Sequence, residues 1–262
     1  MRSVQALVLT HNSPSTLRRT VEALLAQERR PDAVVVVDNA GRVPAAVTLA
    51  ELVADGAVRV LRCEDNTGPA GGWATALGHF LQSGLDAAWL LDDDIVAPPR
   101  TLTVLLEELD AGWSYVLPSV RQPSGAVTTY PAWHGVLLDR QIVERAGLPR
   151  ADFFWWSEDT EYLMWRMAKL GHPLHVTDRV VVDHLKGRGA RGNPPWAYYY
   201  EMRNSVYSHL WLLHGRGRWP RKVAGLTARA LLEQRRWACL RLSALGAADG
   251  LLGRLGKREE FV

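Results

Sequence analysis

Apolar residues come in short runs along the first ninety positions, and each run stops at polar residues. Val4 to Thr10 reads as a buried strand ending in Thr10-His11-Asn12, 33–37 as a second ending in Asp38-Asn39, and 58–62 as a third leading to Asn66. Between them Leu17, Val21, Leu24 and Leu25 recur at helical spacing behind a candidate cap, Ser15, and 46–54 reads as another helix. A helix over 73–83 follows, then the strand-like run Ala87-Ala88-Trp89-Leu90-Leu91, which ends in Asp92-Asp93-Asp94. Strands alternating with helices predict a doubly wound, mainly parallel α/β sheet with helices on both faces. Ligands of such sheets bind beyond the carboxyl ends of the strands, where this chain has its polar clusters.

Beyond residue 100 the pattern is less regular. Strands are expected at 115–120 and 135–138, and a helix over 157–170 closed by Gly171. Two short strands at 174–176 and 180–182 lead to Asp183-His184. A Gly-, Arg- and Pro-rich stretch over 185–195 reads as a loop, and its basic residues Lys186, Arg188 and Arg191 suit either a lid or a plain connector. The remainder is helical in pattern.

The 262 residues hold 47% hydrophobic and 23% charged positions, ordinary for a folded α/β protein, and the net charge is only +3. That charge is divided. Residues 1–185 are net acidic, whereas 186–262 are strongly basic, which sets a boundary near 190 between an α/β domain (1–190) and a basic helical extension (191–262). Cys63 and Cys239 lie far apart without metal-ligand spacing. Met1-Arg2-Ser3-Val4 leads into a strand without signal-peptide organisation, and no apolar stretch is long enough to span a bilayer, so a cytoplasmic location is expected.

Three segments carry chemistry. Alternation along a strand would put Asp92 and Asp94 on one face and Asp93 on the other. Converging carboxylates repel unless a cation sits between them, and a hard divalent ion carrying a substrate diphosphate suits the place; a solvated acidic turn is the plainer reading. Asn66-Thr67-Gly68-Pro69-Ala70-Gly71-Gly72 offers close backbone approach and a helix N-terminus for an anion, or simply a tight packing turn; it is neither a P-loop nor GxGxxG. In Phe153-Phe154-Trp155-Trp156-Ser157-Glu158-Asp159-Thr160-Glu161-Tyr162 the acids can cap a helix, but capping needs no aromatic run. Aromatic faces beside a carboxylate suit a sugar, and a partly apolar wall raises the carboxyl pKa toward that of a useful base.

In their order these motifs, with Val8-Leu9-Thr10-His11-Asn12 at the start and Tyr200-Glu201-Met202-Arg203-Asn204 at the end, resemble family 2 glycosyltransferases of the GT-A fold. The resemblance covers about residues 3–205 and is closest to the bacterial rhamnosyltransferase and galactofuranosyltransferase branch. It implies that Thr10, Asn12, Asp38 and Asn66 border the nucleotide, with Asp38 accepting from the base N–H. Asp92, Asp94 and His184 would hold Mn²⁺ or Mg²⁺ at the diphosphate, and Asp93 would face the ribose or donor sugar. Asp159 matches the catalytic base, with Glu158 beside it; Trp133, His134, Trp155 and Trp156 would meet the sugars. The implied reaction is inverting transfer of one sugar from a UDP- or dTDP-sugar to a hydroxyl on a cell-envelope glycan, a lipid-linked sugar or a natural product.

The basic residues of the last fifty positions alternate with Leu and Trp, a pattern shared by solvated helix faces, dimer interfaces of a homo-oligomer and helices lying on anionic membranes; the last would make the protein peripheral at the inner face of the plasma membrane. Nucleic acid is disfavoured because no stacking platform accompanies the charge. A sugar-phosphate nucleotidyltransferase would also need aspartates and a metal, but would carry a Gly-rich basic loop where this chain has Thr10-His11-Asn12-Ser13-Pro14. A non-catalytic membrane-surface protein leaves the aspartates and the Trp-Trp-Ser-Glu-Asp segment without a role.

Overall fold

The computed structural model describes residues 1–186, 194–213 and 219–261; the 187–193 stretch suggested as a lid lies outside the described residues. Strand β1 (Val4–Thr10) pairs in parallel with β2 (Ala33–Asp38), β2 with β3 (Arg59–Arg62), and β1 on its other side with β4 (Ala87–Asp92). Helices α1 (Pro14–Leu25), α2 (Ala45–Thr48), α3 (Ala50–Ala54) and α4 (Gly68–Ser83) make the connections. The alternation of β1 sorts them. Val4, Ala6 and Val8 pack with Leu17, Val21 and Leu24 of α1, whereas Leu7 and Leu9 pack with Trp73, Ala76, Leu77 and Phe80 of α4. Both faces of the sheet are therefore buried, as the near-continuous apolar strands require.

The second half of the sheet is mixed. After β4 come β5 (Ile95–Val96), α5 (Thr101–Asp110), β6 (Tyr115–Arg121), β7 (Val127–Thr128), β8 (His134–Asp139), α6 (Arg140–Ala146), α7 (Met167–Lys169) and β9 (Val176–His184). The strand order is β3-β2-β1-β4-β8-β6-β9-β5, with β7 on β6; β8 runs antiparallel to β4 and β6, and β9 runs parallel to β6. Helix α5 lies outside the elements expected from the sequence, although Leu102, Leu105 and Leu109 sit at helical spacing and pack against the α1 side of the sheet. The two strands expected at 174–182 are one continuous strand.

Local corrections have plain causes. Helix α1 starts at Pro14 after Ser13, so Ser15 lies inside the first turn, where proline's fixed φ suits the helix start. Helix α4 starts at Gly68, so the glycine-rich segment is the first turn of the helix rather than a loop before it. The helix expected over 157–170 is a π-helix over Thr160–Arg166 continued by α7.

The C-terminal part comprises α8 (Pro195–Tyr207), a π-helical turn Ser208–Leu212, α9 (Trp219–Leu231) and α10 (Arg236–Leu251). Helix α8 is buried almost throughout, from Ala197 to Val206. It lies close against α10, where a Cβ on Gly246 would come 2.3 Å from the Tyr199 carbonyl oxygen and one on Gly250 would come 2.5 Å from that of Arg203. No helix among the described residues is long and apolar enough to cross a membrane.

Candidate active site

The carboxyl ends of β1, β2 and β4 open into one cleft with two compartments. The first, about 520 Å³, is lined by Thr10, His11, Ser13, Asn39, Asn66, all three aspartates, His184 and Lys186. The second, about 710 Å³, is lined by Tyr130, Trp133, His134, Glu158, Asp159 and Trp165, and by Glu201, His209, Lys222 and Arg229 from the C-terminal part. Pro69, Asp92, Trp155, Trp156 and His184 border both.

The aspartates do not follow simple strand alternation. A β-bulge interrupts the β4–β8 pairing between Leu90 and Leu91, and β4 ends at Asp92, leaving Asp93 and Asp94 in the turn to β5. The extra residue of that bulge is Gly135 on β8, while β4 keeps its register with β1 through Asp92, so it is the turn after Asp92 that brings all three carboxyls to the first compartment. Asp93 accepts from the Thr10 hydroxyl (2.6 Å) and the His11 N–H (3.3 Å), and Lys186 Nζ lies 3.4 Å from its other oxygen. Asp94 lies 3.3 Å from His184 Nε2, and Asp92 lies 3.5 Å from His134 Nε2. The two imidazoles face each other at 4.8 Å, and Gln122 holds His184 Nδ1 at 3.1 Å. His134, expected at the sugar, therefore also joins the aspartate cluster.

Burial, then Asp94 and Asp93, pushes the Asp92 carboxyl well above the usual carboxylate range. Burial and His184 lower His134 to about 4, so its imidazole is neutral. Three carboxyls gathered beside the neutral His134 imidazole offer oxygen ligands to a cation. Among the described residues no three His, Cys, Asp or Glu groups form a ready-made cage.

Two residues expected at the nucleotide are not among those lining the first compartment. Asp38 is buried beneath the cleft and its oxygens are already occupied, one by the Gly41 N–H (2.8 Å) and the other by the Ala45 N–H (2.9 Å) and Arg62 (2.6 Å). It orders the loop after β2. Asn12, with φ of 56°, turns its side chain to the Arg42 N–H (2.6 Å) and the His11 ring. The adjoining His11, Ser13 and Asn39 line the compartment instead, as does Lys186. Asn39 was legible only as part of a polar strand end. Its carboxamide bonds to Thr67, Gly68 and Asn66, tying the β2 and β3 loops together.

In the second compartment Trp133 packs against Trp73 (5.1 Å) and Tyr162 (5.7 Å), which makes one wall aromatic. Asp159 caps the π-helix: its Oδ1 accepts from the Thr160 N–H (2.5 Å) and hydroxyl (3.1 Å). Burial raises its pKa above that of an ordinary aspartate. Glu158 is raised further, by burial and then by Asp159, and its Oε2 has no partner although the Trp133 indole N–H lies close by. Glu161 is committed to a two-point ion pair with Arg166 and stands apart from the chemistry.

The loop carrying these acids is strained. Phe154, Trp156 and Ser157 have φ of 59°, 74° and 70°, each in a left-handed region that costs a non-glycine residue about 1–3 kcal/mol. The loop presses on the start of α4, where a Cβ on Gly68 would come 2.0 Å from the Phe154 carbonyl oxygen. Such strain concentrates where a site requires it.

Known proteins share parts of this sequence and this fold. Residues 6–175 match the Glycosyl transferase family 2 model. A stretch of 107 residues is 44% identical to galactofuranosyltransferase GlfT1 of Mycobacterium tuberculosis, covering 40% of this chain and 34% of that protein. The matched stretch thus spans about a third of that relative's length. The fold is shared with mannosyltransferase PcManGT of Pyrobaculum calidifontis in complex with GDP-Man and Mn²⁺ (TM-score 0.63, 20% identity, 95% of this chain and 75% of that one). It is shared also with GalNAc-T7 with UDP, GalNAc and Mn²⁺ (TM-score 0.68, 14% identity, 96% and 55%). Because the family match takes in β1 through α7, every strand of the parallel half and both acidic motifs, the chain belongs to glycosyltransferase family 2.

Proposed function

We propose that the protein is an inverting glycosyltransferase that moves one sugar from a UDP- or dTDP-sugar to an acceptor hydroxyl. The observation that carries this reading is the meeting of two compartments at Asp92, with acid-lined space for a nucleoside diphosphate on one side and an aromatic chamber holding Asp159 on the other. Asp92, Asp94 and His184 would hold Mn²⁺ or Mg²⁺, whose charge offsets that of the leaving diphosphate. Lys186 lies beside Asp93 in the same compartment and suits the same phosphates. Asn66 and Thr10 border the nucleoside, and Asp93 faces its ribose or the donor sugar. Trp133, His134, Trp155 and Trp156 wall the sugars.

Thr160 occupies Asp159 Oδ1, which leaves Oδ2 to take the acceptor's hydroxyl proton. The acceptor oxygen then bonds to the anomeric carbon as the carbon–phosphate-oxygen bond breaks on the opposite face. One displacement inverts the centre without a glycosyl-enzyme intermediate. The raised pKa makes Asp159 a stronger base than a solvated aspartate. Replacing it by Asn should lower transfer by about 10²-fold or more while leaving Mn²⁺-dependent nucleoside-diphosphate affinity, read by calorimetry, nearly unchanged. Comparable turnover by D159N would refute the base; a wild-type protein that binds neither UDP- nor dTDP-sugars would refute the reading as a whole.

A further observation bears on the acceptor. The turn between α9 and α10 exposes Leu232 (88%) and Trp237 (74%), with Leu231, Arg235 and Arg236 also exposed around them. Apolar residues beside arginines suit an anionic bilayer surface. Arg229, which lines the second compartment, is only two residues before Leu231 on the same helix. We infer that the turn rests on a membrane and that the compartment receives a lipid-linked acceptor.

A further inference from the structure

The glycosyl-transfer reading gives no role to Arg203 and Asn204, yet both are fully buried on α8. Asn204 Nδ2 donates toward three carbonyl oxygens of the strained loop: Phe153 (3.0 Å), Trp155 (2.8 Å) and Trp156 (2.7 Å). Its Oδ1 accepts from Arg203 Nε at 2.9 Å, which fixes the amide's orientation, because only the nitrogen end can face carbonyls. Arg203 in turn donates to the Phe153 oxygen (2.7 Å) and the Gly256 oxygen (2.5 Å). Among the described residues it has no carboxylate within ion-pair distance. Its charge rests on these carbonyls and on the faces of Tyr200 (4.9 Å) and Tyr199 (5.4 Å). An arginine buried only to stabilise the fold would be expected to sit with an acid.

We propose that Asn204, held by Arg203, is a positioning residue that locks the Phe153–Trp156 backbone in its left-handed turns and so aims Asp159 and the Trp155–Trp156 wall at the sugars. The three carbonyls it gathers precede Glu158 and Asp159 directly in sequence. With Asn204 removed, nothing else among the described contacts ties the Trp156 carbonyl, and the left-handed residues relax toward ordinary backbone geometry. The first compartment takes its polar lining from the ends of β1, β2, β4 and β9 and shares only Trp155 and Trp156 with the tied loop.

This inference rests on the transferase reading for its kinetics but not for its structural test. Three variants of the full chain serve: Asn204→Ala, Asn204→Asp, and as control Tyr198→Phe, which deletes a hydrogen bond from the same helix to Glu233. Hydrogen exchange over residues 154–159 should accelerate in both Asn204 variants and not in the control, whether or not a substrate is known. With a working donor, kcat should fall about 100-fold for N204A, since an ångström of misplacement costs that much. Affinity for UDP with Mn²⁺ should stay within about twofold of wild type, the loss falling on kcat rather than donor KM. N204D should behave no better, because its oxygen would face the carbonyls. Unchanged exchange over 154–159 would overturn the proposal, and so would a kcat loss that merely matches the control at equal loss of Tm. Wild-type protein without transfer activity would count against the transferase reading alone, since the exchange result stands by itself.

Discussion

Glu158 and Asp159 are neighbours with different tasks. Asp159 keeps one oxygen on Thr160 and one free, whereas Glu158 is buried with an oxygen unpartnered. A carboxyl whose folded pKa lies above its unfolded value binds more protons in the folded state across the interval between the two. The stability it lends is complete below the unfolded value of about 4 and is lost as pH rises through the raised folded value. Glu158→Gln removes that loss while keeping the shape. Its Tm relative to wild type should therefore rise with pH, becoming higher by several degrees at pH 8–9, at about 2–4 °C per kcal/mol. A Tm difference that is flat between pH 4 and 9 would show that Glu158 carries no ionisation cost. Its sequence neighbourhood suggested an unusual carboxyl, but the burial that raises Glu158, and the charge of Asp159 added to it, come from the folded packing.

At the scale of elements, the site depends on how the start of α4 meets the 153–157 loop. Gly68 has φ of 68° and no room for a Cβ beneath the Phe154 carbonyl, while the Ala70 N–H donates to that same oxygen at 3.3 Å. Both the strain and the clash penalise any side chain there. Gly68→Ala should destabilise the fold by about 2 kcal/mol or more and depress transfer beyond its effect on Tm. Gly78→Ala, on the same helix where the nearest atom is 3.8 Å away, should be neutral or mildly stabilising. Equal effects of the two in chemical denaturation would contradict the packing account. The glycine-rich segment was readable as a place of close approach. That the approaching group is the backbone of the acid-bearing loop, some 85 positions later, was not.

For the whole molecule, the C-terminal helices help line the second compartment of the cleft. Helix α8 braces the loop, α9 contributes Lys222 and Arg229 to the second compartment, and α10 packs so closely on α8 that two of its glycines touch backbone. The second compartment is lined from both sides of the boundary expected near residue 190. The exposed α9–α10 turn is the face proposed above to meet a membrane. In flotation with vesicles containing anionic lipid, the double variant Leu232→Glu with Trp237→Glu should lose most binding, and 0.5 M salt should weaken the wild type, since charge contributes about 1 kcal/mol per basic residue near the surface. Flotation equal to wild type would remove the membrane, and a fall in native mass for the variant would point instead to a second copy of the chain.

The sequence by itself determined the parallel half of the sheet, because each strand is a continuous apolar run and each connecting helix repeats at its own period. It also determined where the polar clusters fall, since a strand must end where its side chains turn polar. The aspartate run, the Trp-Trp-Ser-Glu-Asp segment and His184 were legible in this way, and the structure gathers them around one cleft. Only the tertiary structure decided which neighbour faces in. Asp38 and Asn12 are spent on loop hydrogen bonds while His11, Ser13, Asn39 and Lys186 line the compartment. Strand β4 ends at Asp92, so the turn that follows gathers three carboxylates that alternation would have split between two faces. The brace from Arg203 and Asn204 was also invisible, because it joins residues about fifty positions apart through backbone carbonyls, which carry no mark in the sequence.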